Sequence, residues 1–143
     1  GVKVGTIEHL MSAFAGLGLR PGDLAVMQLP NGIEFVVSYL ALNLIGVVPV
    51  MALRAHRQAE VRHFLRASGA TAYLIPDVVG GFDFRVMAGQ MQAEFPGLKH
   101  VLVAGEPAPG QRALAGAQCG FYRELGDLTS RFVASEARRA AGA

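Results

Sequence analysis

The chain has 143 residues, 52% hydrophobic and 17% charged, with a formal net charge of +2. That length and apolar content suit one domain able to bury roughly two-thirds of its unfolded surface, and they exclude intrinsic disorder. Eleven scattered arginines leave no nucleic-acid footprint, and a single cysteine, Cys119, excludes an internal disulfide or a Cys-rich zinc site. No run of about 18 apolar residues is free of breakers, so no membrane span is expected and a reducing, cytoplasmic location is.

Ile7, Leu10, Met11, Phe14 and Leu17 follow the i, i+3, i+4, i+7 spacing of an amphipathic helix, closed by Gly18 and followed by a turn at Arg20-Pro21-Gly22-Asp23. Leu24 to Leu29 reads as a short buried strand, broken at Pro30-Asn31-Gly32. Asn31 with Glu34 three residues on resembles a capping-box start. The helix after it, to Ile45, is apolar on nearly every face, the pattern of a fully buried helix. Val47 to Leu53 is a second strand, placed near an edge by Pro49. Gln58 to Ser68 is a polar helix with Val61, Phe64 and Leu65 inward. Thr71 to Ile75 is a third strand. Asp83 caps a helix with Phe84, Met87, Met91 and Phe95 on its inner face, and the methionines there read as core filling. His100 to Val103 is a fourth strand, and His100 beside Lys99 reads as marking an edge.

Composition then shifts. Residues 108–120 form a Gly/Ala/Pro linker, and Phe121, Leu125, Leu128 and Phe132 give 121–143 a last helix fraying into a tail. With residues 1–107, the alternation specifies an α/β fold: three layers, with a mainly parallel sheet of about four strands and flanking helices. Ligands of such sheets bind beyond the carboxyl ends of the strands. Four segments lie there: Pro30-Asn31, Arg54 to Arg57, Pro76-Asp77 and Gly105-Glu106. The second is the most polar, so His56 and Arg57, with Asn31, are the candidate rim of a substrate or cofactor site. A polar loop leading into the next helix and a helix cap are the structural alternatives for these residues. His63 reads as a solvated side chain. Cys119 has no His or Asp partner nearby in sequence, and no residue is assigned a catalytic role.

Several ordered blocks carry a resemblance. RPGD at 20–23, QLPN at 28–31 before a helix, and a Gly turn before VPV at 48–50 are similar to the N-terminal part of adenylate-forming (acyl- and aryl-acid AMP-binding) ligases. Residues 53–77 and 81–107 resemble more narrowly the salicylate and 2,3-dihydroxybenzoate AMP ligases of siderophore biosynthesis. The resemblance implies ATP- and Mg²⁺-dependent adenylation of an aryl acid and transfer to a carrier-protein thiol. It also implies a partial N-terminal subdomain as the fold, with the remainder of the ligase chain and an aryl carrier protein as partners. No Ser/Thr/Gly-rich loop ending in Pro-Lys occurs, and Lys3 and Lys99 are the only lysines. The chain also opens on Gly1 rather than Met. It is therefore expected to be scaffold, a fragment inactive alone and needing no cofactor by itself. The alternative is a non-catalytic interaction module, with self-association through uncovered apolar faces.

Residues 1–19 are also similar to a segment of the zinc-dependent lipid A deacetylase, in which Glu8 would be a base and His9 a metal ligand. Zinc catalysis needs about three protein ligands. That enzyme's His-x-x-x-Asp segment has no match, because Glu60, Ala67 and Ala104 stand four residues after His56, His63 and His100.

Overall fold

A computed structural model describes residues 5–114 and 137–142. Helix α1 (Gly5–Gly16) buries Leu10 and Phe14, one turn apart, and packs Ile7, Met11 and Leu17 partly against the same core. The chain then turns at Gly18 (φ 95°), and Asp23 accepts the Arg20 N–H at 2.9 Å. Strand β1 (Leu24–Met27), helix α2 (Ile33–Leu44), strand β2 (Val48–Met51), helix α3 (Gln58–Ser68) and strand β3 (Ala72–Pro76) follow. A two-residue hairpin, β4 (Val78–Val79) with β5 (Phe82–Asp83), leads into α4 (Phe84–Glu94), and β6 (His100–Ala104) and β7 (Arg112–Ala113) complete the order.

Five strands form one parallel sheet in the order β2-β1-β3-β6-β7. From β1 the chain steps one way to β2, then reverses past β1 to β3 and on to β6. A connection of constant hand must then put its helices on opposite faces. The two cores follow this rule. Ala25, Met27, Ala72, Leu74 and Leu102 face α1 and α2, while Val26, Tyr73, Ile75, Val101 and Val103 face α3 and α4. The period-2 alternation of each strand thus serves two buried faces, so every residue of β3 is buried.

The three-layer α/β fold with a mainly parallel sheet is the expected one, with differences in detail. The sheet has five strands rather than about four. Arg112–Ala113 within the expected linker 108–120 pairs with Leu102 and Val103. A connection of seven residues suffices because β7 starts opposite Leu102, so the chain returns only about 7 Å along β6. His100 consequently does not mark an edge strand, because β6 lies between β3 and β7. Pro49 does lie on the edge strand β2. Of the expected helix and tail, 137–141 are helical and exposed. Cys119 and Phe121 to Phe132 lie outside the described residues.

Two local expectations are corrected. The capping box at Asn31 is absent: the residue preceding α2 is Gly32, no side chain caps the helix, and Asn31 is exposed. Nor is α2 fully buried. Val37, Ser38, Ala41 and Leu42 are inside, but Val36, Tyr39, Leu40 and Leu44 face outward. The described fold has one sheet and one helix, α1, to lay against α2, and these cover only part of its circumference. No described helix is long and apolar enough to cross a membrane.

Candidate functional site at the carboxyl edge of the sheet

Because β1, β2, β3 and β6 run parallel, the segments after them meet at one edge. The chain leaves β1 in one direction for β2 and reaches β3 on its other side, so the reversal point lies between β1 and β3. Crevices in such sheets open at that point. The residues around it are bound to one another by a hydrogen-bonded frame.

Its centre is a residue pair that sequence reasoning missed. Gln28 continues β1 and is completely buried, its N–H donating to the Leu74 carbonyl at 2.8 Å. Its side chain lies on the α3–α4 side, where the buried Tyr73 hydroxyl donates to Gln28 Oε1. Gln28 Nε2 in turn donates to the carbonyls of Leu53 (2.8 Å) and His56 (2.9 Å). A buried amide is costly unless its donors and acceptor are matched, and here they are. Burial pushes the Tyr73 phenol well above its usual range, with the nearby Arg57 charge opposing, so it stays a neutral donor. The available signal was a lone glutamine in the apolar run AVMQLP, paired in register with a strand carrying a lone tyrosine.

His56 and Arg57 lie in the loop that this pair grips. His56 Nδ1 accepts the Leu53 N–H at 3.0 Å, which leaves the proton of the neutral ring on Nε2, and the ring packs edge-on against Phe64. Arg57 Nη1 donates to the carbonyls of Arg54 (2.7 Å) and His56 (2.9 Å), and its guanidinium sits 3.9 Å over the Phe82 ring. Arg57 is thus an internal clamp between the β2–α3 loop and the β4–β5 hairpin. At the start of α3 the Arg57 N–H donates to Glu60 Oε2 at 3.1 Å, and hydrogen bonds from the Glu60 and Arg57 backbone lower the Glu60 pKa. Asn31 stands apart, exposed at the start of α2, and among the described residues no hydrogen bond joins it to His56 or Arg57.

The β3–β6 side is equally occupied. Asp77 accepts the N–H of Val78 (2.7 Å) and of Glu106 (3.2 Å). Gly105, at φ 138°, lies so close that a Cβ there would overlap the Asp77 carboxylate. Asp83 caps α4 through the Arg85 N–H at 2.9 Å and holds the Arg85 guanidinium with both carboxylate oxygens, at 2.9 and 3.0 Å. That charged bond holds the Asp83 carboxyl below its usual range. Arg85 also reaches the Glu106 carbonyl at 3.0 Å, and Gln111 donates to the Arg85 carbonyl at 2.9 Å. Chemically, this edge can position loops and present backbone. The Asp77 and Asp83 carboxylates and the Arg57 and Arg85 guanidinia are spent on one another and on N–H and C=O groups, while Arg54 and Glu106 have exposed side chains.

Glu8 and His9 lie far along the chain from this edge, exposed on α1. Among the described residues no group of three or more His, Cys, Asp or Glu could hold a metal ion.

Comparison with known proteins gives this frame a family. The AMP-binding enzyme family matches residues 6–118. That match takes in α1, so the likeness of residues 1–19 to the lipid A deacetylase is unsupported. A salicyl-AMP ligase / salicyl-S-ArCP synthetase of Mycobacterium tuberculosis is 48% identical over 102 residues, covering 71% of this chain and 18% of that protein. A 2,3-dihydroxybenzoate-AMP ligase of Bacillus subtilis is 43% identical over 99 residues, covering 69% of this chain and 18% of the relative. The apo structure of MbtA from Mycobacterium smegmatis superposes with a TM-score of 0.68 at 37% identity, over 78% of this chain and 21% of that one. The chain thus spans about a fifth of the length of the relatives it matches. With its parallel sheet, its ordered blocks and its match over residues 6–118, this chain belongs to the AMP-binding enzyme family.

Proposed function

We propose that this chain is the scaffold portion of an ATP-dependent ligase that adenylates an aryl acid, salicylate or 2,3-dihydroxybenzoate. The acyl group would then pass to the thiol of an aryl carrier protein in siderophore assembly, and the cytoplasm would supply the ATP. The observation that carries the reading is the 48% identity to a salicyl-AMP ligase, sustained over 102 residues. Adenylation needs cationic groups around the phosphates as the carboxylate attacks the α-phosphorus.

AMP-binding ligases in general use ATP and Mg²⁺, but the residues described here do not fit a triphosphate site. Lys99 is the one described lysine, and it precedes β6 at the amino edge, opposite the frame. At the carboxyl edge Arg57 is turned onto Phe82 and Arg85 onto Asp83, which among the described residues leaves the exposed Arg54 as a lone cation there, too few for a triphosphate. No step of the reaction is therefore assigned to this chain's side chains. Its contribution is to fix the first layer of the ligase core.

A chimaera tests this, with the chain replacing the matching part of the Mycobacterium tuberculosis ligase. Salicylate-dependent ATP–pyrophosphate exchange should persist in the chimaera and be absent from the chain alone. A folded but inactive chimaera would refute the family function, and exchange by the pure chain would refute the scaffold role. The apolar flank of α2 favours a second reading, a non-catalytic interaction module, under which the chimaera is inactive.

A further inference from the structure

We propose that the outer flank of α2 and the adjoining edge of β2 are the docking surface for the part of an AMP-binding ligase polypeptide that this chain does not span. The inference rests on the scaffold reading and deepens it by naming the surface.

Helix α2 exposes Val36, Leu40 and Leu44, one turn apart, with Tyr39 beside them. On the same face of the sheet the neighbouring strand exposes Met51, in register with the α2-facing Met27, and Leu53 follows. Six such side chains, each about a third to two-thirds exposed, make an apolar patch on the order of 500 Å², about the size of the largest patch on a typical monomer, which is often functional. Between residues 33 and 53 the only charged residue is Glu34. A surface so poor in charge matches a permanent, core-like interface and not the polar rim of a transient partner.

The strand edge itself narrows what can sit there. Val48 and Ala52 turn their N–H groups toward β1, donating to Asp23 and Met27 carbonyls at 2.8 and 2.9 Å. Of the outward positions, Pro49 has no N–H, the Leu53 N–H is taken by His56 Nδ1, and the Val47 N–H goes to the Leu42 carbonyl at 2.9 Å. Met51 alone remains as an outward donor in this stretch, so an added strand would find almost no ladder. The occupant packs through side chains, as a helix or loop layer does. Most of the polypeptide of the relatives lies outside the span matched here, so the covering layer is available within the same enzyme.

The test uses Leu44→Lys and Leu53→Lys, which change the two most exposed residues of the patch, at 63% and 66%. Val86→Lys on α4 is the control, equally apolar and 59% exposed but off the face. Each tagged chain is co-expressed with the Mycobacterium tuberculosis ligase lacking its matching region, and the co-purified amount is measured. Wild type and Val86→Lys should retain the complement, and each patch variant should lose it at least tenfold while keeping the wild-type circular dichroism spectrum. Should a patch variant misfold, Val36→Lys at the other end of the stripe replaces it. Equal recovery with all variants would overturn the surface assignment while the exchange assay of the chimaera leaves the ligase reading intact. No recovery even with wild type would overturn it too. A wild-type dimer dispersed by Leu44→Lys would overturn the occupant in favour of a second copy.

Discussion

The Gln28–Tyr73 pair lends itself to a double-mutant cycle. Both side chains are fully buried, and the Tyr73 hydroxyl donates to Gln28 Oε1. Tyr73→Phe keeps the ring but strands that oxygen, at about 1–3 kcal/mol for a buried group left unpaired. Gln28→Leu strands the Tyr73 hydroxyl and removes the donor from two carbonyls. The His56 carbonyl keeps its bond from Arg57, and Leu53 is exposed to water, so most of this loss again falls on the hydroxyl, about 2–3 kcal/mol. In the double variant neither stranded group remains, and its destabilisation should fall short of the sum by about 1–2 kcal/mol. The chain has no tryptophan, so urea unfolding followed by circular dichroism is the assay, with the slope m required to stay constant. Amide exchange at Leu53 gives a second readout, because Gln28→Leu should loosen the loop whereas a surface change such as Val86→Ala should not. Additive effects within about 0.5 kcal/mol would refute the idea that the two groups act as one unit.

Glycine substitutions should have opposite signs at two positions. Gly46→Ala forces a side chain onto φ 82° with its Cβ 3.0 Å from Pro21, and should lower stability by about 1–2 kcal/mol, whereas Gly89→Ala in α4 meets nothing within 4 Å and should raise it by about 0.5–1 kcal/mol; thermal melts of both decide the matter. Burial holds the His100 imidazole below its ordinary 6.5, with repulsion from Arg112 and Lys99 adding and a backbone bond at Leu17 opposing. The unfolded chain then takes up a proton before the folded one does, so the stability due to His100 is fully present above pH 6.5 and lost as pH falls through the folded value. His100→Asn should show a smaller drop in urea midpoint between pH 7 and pH 5 than wild type, and equal drops would discard the linkage.

What was legible followed from periodicity and punctuation. The stripe of α4, its Asp83 cap and the alternation of helix and strand specified the layers, because each is decided by residues within a turn or two of one another. Pro49 identified the edge strand for a local reason, its missing donor. The failures share a different cause. Asn31 and Glu34 have capping-box spacing, but Gly32 intervenes and takes the boundary. An apolar helix says that burial is wanted and not what supplies it, so α2 was read as buried although part of its flank is open. The partners of Gln28 lie at Leu53, His56 and Tyr73, at least 25 residues away, beyond the reach of any local pattern.

Site residues chosen for polarity also behave differently once the carboxyl edge is assembled. Polarity and position picked out His56 and Arg57, but a strand-end loop must first satisfy its own backbone before it can offer anything to a ligand. Here the His56 ring accepts from Leu53, and the Arg57 guanidinium serves two carbonyls and an aromatic face. The most polar segment of this edge thus spends His56 Nδ1 and the Arg57 guanidinium on closing the edge and leaves the Arg54 side chain exposed. A frame whose hydrogen bonds point inward holds its loops in place for whatever is laid upon it.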